Sequence, residues 1–99
     1  MSAEFRKHME SMTATAGILK LLANPVRLCL LQKLLGEGEL NVSQITSCMD
    51  VSQSAISQHL AKLRLNGIVE ARKAGNQVFY ACRRDDIRDI MAALFKEER

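Results

Sequence analysis

Val51-Ser52-Gln53-Ser54-Ala55-Ile56-Ser57-Gln58-His59-Leu60-Ala61-Lys62-Leu63 is the stretch on which the fold turns. Ile56, Leu60 and Leu63 recur at the three- and four-residue spacing of one helix face, so they point into a core. Gln53, Ser54, Ser57, Gln58, Ala61 and Arg64 fall on the other face, which is polar and slim. Ser52 supplies an N-cap oxygen, Val51 and Ile56 take the staple positions, and Gly67 stops the helix. A short helix precedes it: Asn41 with Gln44 reads as a capping box, Leu40 faces Ile45, and the helix runs to about Met49. Asp50 is expected to take a left-handed turn conformation before the next cap. Two short helices joined by so tight a turn make a helix-turn-helix.

Upstream, Asn24 is a good N-cap and Pro25 suits the first helical position. Leu28, Leu30, Leu31, Leu34 and Leu35 cover most of that helix's circumference, which predicts a central, buried element stopped by Gly36 and Gly38. Before it, Phe5, Met9, Met12, Ala16 and Leu19 form a narrow heptad-like stripe, suited to contact between helices of two subunits. Downstream, residues 68–74 and 77–82 read as strands around the two-residue turn Gly75-Asn76. Arg72, Lys73, Asn76 and Gln77 cluster at the tip of this hairpin. From about Asp85 helical spacing returns with Ile87, Ile90, Met91, Leu94 and Phe95, and Asp85, Asp86 and Asp89 suit its positive end. The order α-α-α-α-β-β-α is mainly α with a β-hairpin wing, a winged helix-turn-helix filling residues 1–99 as one domain.

Charge is distributed to match. The chain of 99 residues carries +3, but residues 52–84 hold Lys62, Arg64, Arg72, Lys73, Arg83 and Arg84 against Glu70 alone. That basic third, flanked by a neutral first half and an acidic end, is the footprint of an anionic partner, here duplex DNA. The reading helix is narrow enough for a major groove about 12 Å wide, and Gln53 and Gln58 have the donor–acceptor pair that adenine matches. Ser54 and Ser57 serve bases or phosphates, and Ser52 and the free amides at the helix start favour a phosphate. Lys62 and Arg64 serve the backbone, and Arg72 and Lys73 reach flanking phosphates or a neighbouring minor groove. One Tyr and no Trp argue against a base-stacking platform for single strands. No phosphate loop or nucleophile motif points to an enzyme. No apolar run approaches the roughly 20 residues of a membrane span, and Glu4 and Glu10 exclude a signal peptide, so a cytoplasmic location is expected. A chain this short is expected to gain stability from a partner subunit.

Ala23-Asn24-Pro25-Val26-Arg27-Leu28, the run from Val51 to Leu63, Asn66-Gly67-Ile68-Val69 and Gly75-Asn76-Gln77-Val78-Phe79-Tyr80 together resemble the ArsR/SmtB family of bacterial winged-helix repressors. The resemblance implies a homodimer joined through the first and last helices, the stripe from Phe5 to Leu19 and the face from Ile87 to Phe95. It also implies a palindromic operator. His59, within the motif, is expected next to DNA. A winged helix used only for protein assembly is the rival reading, disfavoured by the polar, basic outer face.

No cofactor is expected, and neither metal site of the family is matched. Where a Glu-Leu-Cys-Val-Cys pattern supplies thiolates, this chain has Glu39-Leu40-Asn41-Val42-Ser43; where the last helix supplies histidine, none lies beyond His59. Asp85, Asp86, Asp89, Glu97 and Glu98 are weak ligands for a hard cation only. Three cysteines without a C-x-x-C pair imply no disulfide framework. Cys29 is the candidate accessible thiol and possible sensor, while Cys48 and Cys82 are expected at apolar core positions.

Overall fold

The computed structural model describes residues 2–96. Ser2 caps α1 (Ala3–Leu22) by accepting from the Phe5 N–H, and only Leu22 of this long helix is buried. Asn24 Oδ1 accepts from the amides of Val26 and Arg27 at 2.9 and 3.1 Å and opens α2 (Pro25–Glu37). Leu30, Leu31 and Leu34 of α2 are fully buried, as its leucine-rich circumference predicts. Gly36 lies inside the helix rather than ending it; Gly38, at φ +94°, is the cap.

Three strands form where two are expected. β1 (Leu40–Asn41) precedes α3 (Val42–Ser47), and its residues pair with Tyr80 and Phe79 of the last strand. A two-residue strand has no alternation to read, and its partner lies about 40 positions away in the chain. Asn41 thus serves both as strand residue and as N-cap, with the expected capping box to Gln44 intact. The third helix ends at Ser47 rather than Met49, and Asp50 is not left-handed, because every described positive φ belongs to glycine.

α4 (Gln53–Leu65) follows, capped by Ser52, with Ile56, Leu60 and Leu63 fully buried. Ile68 and Val69 enter the core as buried residues before β2 (Glu70–Ala74) begins, two positions later than the alternation predicts. β3 (Gln77–Ala81) returns antiparallel, Arg72 opposite Phe79 and Lys73 opposite Val78, giving the sheet order β1-β3-β2. Gly75 at φ +64° with no positive φ at Asn76 is the pattern of a type II′ turn, whose twist suits the strands it joins.

α5 (Asp85–Leu94) closes the described chain, and here one expectation is corrected. Ile87 and Met91, read as interface residues, are 0% and 4% exposed and pack into the chain's own core with Leu30, Leu34 and Leu60. A ten-residue amphipathic helix cannot give one apolar face to two partners, and the interior takes the inner half. Ile90 and Phe95 are half-buried, and Leu94 is 57% exposed. Phe5, Met9, Met12 and Leu19 on α1 are 42–50% exposed, and Ala16 is exposed with them. Glu97 and Glu98 lie outside the described residues. Among the described residues, no single helix is long and apolar enough to cross a membrane.

Candidate nucleic-acid interface

Packing of Ile56, Leu60 and Leu63 against the core fixes how α4 is rotated. The same rotation turns Gln53, Ser54, Ser57 and Gln58 outward, all exposed, with Arg64 and Lys62 following toward the C-terminal end. Ser52 uses its hydroxyl oxygen internally, accepting from Ala55 N at 3.1 Å. A phosphate at this end therefore meets amides and a hydroxyl proton rather than a free Ser52 oxygen.

His59 is half-buried between this face and α2. Its Nδ1 lies 3.4 Å from the Arg27 guanidinium, a contact joining residues 32 apart that spacing alone does not reveal. Burial, then the charges of Arg27 and Lys62, hold the imidazole's pKa below its ordinary value. Neutral imidazole is the form that accepts from Arg27, so His59 acts first as a brace between α2 and α4.

The wing divides its expected contacts. Lys73 and Asn76 are exposed near the tip, and Lys73 has no carboxylate partner among the described residues. Gln77 is tied down, its Oε1 accepting from Asn41 Nδ2 at 2.7 Å. Arg72 is engaged as well: it donates from Nε and Nη2 to the two oxygens of Glu39 at 3.1 and 2.8 Å and lies 5.2 Å over the Phe79 ring. Arg83 joins the same carboxylate at 3.1 Å and reaches Glu70 at 3.7 Å. The Arg72 hydrogen bond, with the charges of Arg72 and Arg83, holds the Glu39 carboxyl below its usual range despite some desolvation. The sequence reading missed this network because Glu39 lies far from Arg72 and Arg83 in the chain.

Of the two thiols expected in the core, only one lies there. Cys82 is buried, and desolvation pushes its pKa up. Cys48 is exposed at the end of α3, not in the core, with its Sγ 3.4 Å from the carbonyls of Gln44 and Ile45. The early end of α3 puts it there. Cys29 is half-buried and lines the same open cleft of about 370 Å³ as Cys48 and Met49. Among the described residues, no group of three His, Cys, Asp or Glu side chains is placed to hold a metal ion.

Known proteins share this arrangement. Residues 24–71 match the family profile described as bacterial regulatory protein, arsR family. The transcriptional activator HlyU of Vibrio cholerae is 40% identical over 91 residues, spanning 91% of this chain and 83% of its own. The biofilm growth-associated repressor of Agrobacterium fabrum is 37% identical over 84% of this chain and 70% of its own. Reduced HlyU from Vibrio cholerae superposes with a TM-score of 0.83 at 35% identity, over 92% of this chain and 95% of that one. Profile, relatives and superposed backbone agree with one another: the chain belongs to the ArsR family and is a winged-helix, DNA-binding transcriptional regulator.

Proposed function

We propose that this regulator works as a homodimeric repressor, two copies of α4 reading a palindromic operator about one helical turn apart. Gln53, Ser54, Ser57 and Gln58 read base edges in the major groove. Ser52 with the α4 N-terminus, Lys62, Arg64 and Lys73 hold phosphates, Asn76 and Gln77 follow the wing, and Arg72 joins by exchanging Glu39 for phosphate. His59 supports this face from behind. The observation that carries the reading is the division of α4: Ile56, Leu60 and Leu63 are fully buried, while every amide and hydroxyl on its outer face is open to solvent.

Dimerisation is supported by Phe5, Met9, Met12, Leu19 and Leu94, large apolar side chains that one chain leaves between 42% and 57% exposed. A second copy covers them, with Ala16, Ile90 and Phe95 at the margins. Fluorescence anisotropy on a selected operator tests the whole reading. Affinity falls steeply with salt, the logarithmic slope being about −0.9 per phosphate neutralised. A salt-insensitive or undetectable affinity favours instead a protein-assembly module.

A thiol-responsive form of the switch rests on Cys29, which shares its cleft with Cys48. Loss of operator binding on mild peroxide treatment, abolished by Cys29→Ser, supports it; binding that peroxide leaves unchanged overturns it.

A further inference from the structure

A cleft of about 750 Å³ opens between the second half of α1, the C-terminal end of α4 and the start of α5. Four cations line it, Lys20, Arg27, Lys62 and Arg84, with the Asn66 amide among them and no carboxylate in the lining. We propose that this cleft is an effector site for a small phosphorylated molecule, held by Lys20, Lys62 and the Asn66 amide against the two arginines.

The two arginines are fixed in place by the fold. Arg27 donates from Nε to the Leu21 carbonyl and faces His59, and Arg84 is paired to Asp86 at 2.6 Å and reaches the Gly67 carbonyl at 3.5 Å. Lys20 and Lys62 have no ion-pair partner among the described residues, and both side chains are exposed and long enough to close on a ligand. Asn66 uses Nδ2 once, toward the Lys62 carbonyl at 2.8 Å, and keeps a second N–H. The pKa of His59 is lowered by burial first, and then by the charges of Arg27 and Lys62 beside the cleft. Lys20, Arg27 and Lys62, none with a carboxylate partner among the described residues, repel one another until an anion enters, and this volume lies within the range of small-molecule sites.

Concavity separates this site from a simple backbone contact. Its α1 wall, Gly17, Ile18 and Leu21, is apolar and lies on the side of the helix opposite the stripe Phe5, Met9, Met12, Ala16 and Leu19. Lys62 and Asn66 continue the row begun by Gln58 on α4, one turn apart each. A ligand here thus bridges the exposed helix α1 and the reading helix. The site stands independently of the proposed operator reading, whereas its regulatory consequence rests on it.

Inorganic pyrophosphate, titrated at constant ionic strength into the ¹⁵N-labelled full chain without DNA, tests the site. Saturable shifts are expected at the Asn66 side-chain amide and the Ile18 and Leu21 backbone. Lys20→Glu weakens binding at least tenfold, Lys62→Gln does likewise, and Lys7→Glu, the same charge change elsewhere on α1, leaves it unchanged. Shifts that do not saturate, that survive Lys20→Glu, or that centre on the wing overturn the proposal. So does a third result: no saturable pyrophosphate binding, with Lys20→Glu lowering the DNA salt slope by about one phosphate, which assigns the cleft to the operator backbone.

Discussion

Arg72 and Glu39 meet in a two-bonded contact, 3.1 and 2.8 Å, across 33 residues of chain. It ties the wing to the segment that leads into the helix-turn-helix, and Arg83 shares the carboxylate. Both partners are partly solvated, so the pair contributes little to stability. Its greater consequence is electrostatic: one of the wing's cations is already paired with a carboxylate, and under the proposed reading DNA has to compete for it. Glu39→Gln is expected to tighten operator binding several-fold and steepen the salt slope by about 0.9, measured by anisotropy across a salt series. Weaker binding with an unchanged slope identifies Glu39 instead as the group that holds Arg72 in its DNA-bound geometry.

Gln58→Ala and Lys73→Ala are expected to fail differently. Loss of the Gln58 amide costs roughly 1–3 kcal/mol and relaxes preference at one base pair per half-site. Loss of Lys73 weakens all sequences alike, because a phosphate contact carries no base information. Competition binding on operators varied one position at a time separates the two.

Leu19→Asp places a charge in the exposed stripe of α1 without touching the chain's own core. Sedimentation at micromolar concentration is expected to show the wild type as a dimer and the variant as a folded monomer. A wild-type monomer refutes the assignment of this stripe.

Stability is expected to decline on mild acidification because of His59. Its pKa is lowered in the folded chain, so below about pH 6.5 the unfolded chain binds the proton first and stability falls with pH. Urea midpoints at fixed protein concentration follow this loss, and His59→Gln, which keeps an acceptor for Arg27, flattens it. Glu39 and Asp86 add a second loss in more acidic solution. Their lowered pKa values stabilise the fold above the ordinary carboxylate range, and that contribution disappears as pH falls through the folded values.

Alkylation by iodoacetamide, followed by mass spectrometry, is expected to modify Cys48 first, Cys29 next and Cys82 last. Exposure sets the first two, and burial with a raised pKa protects the third. Cys82 modified at a rate like that of Cys48 contradicts the packing around it.

The local physics of capping and periodicity determined much of this molecule directly. Asn24, Asn41 and Ser52 each satisfy the amides their position predicts, and Ile56, Leu60 and Leu63 bury the predicted face, so the polar face of α4 was legible before any coordinates. These interactions span at most a few residues, within reach of a sequence pattern. Tertiary structure alone decided the rest: that Leu40 and Asn41 become a third strand, that Glu39 gathers Arg72 and Arg83, that Ile87 and Met91 belong to the interior, and that Lys20, Arg27, Lys62 and Arg84 converge on one cleft. Each of those depends on elements brought together from distant parts of the chain, and the directions in which side chains then meet follow from packing, which no local spacing encodes.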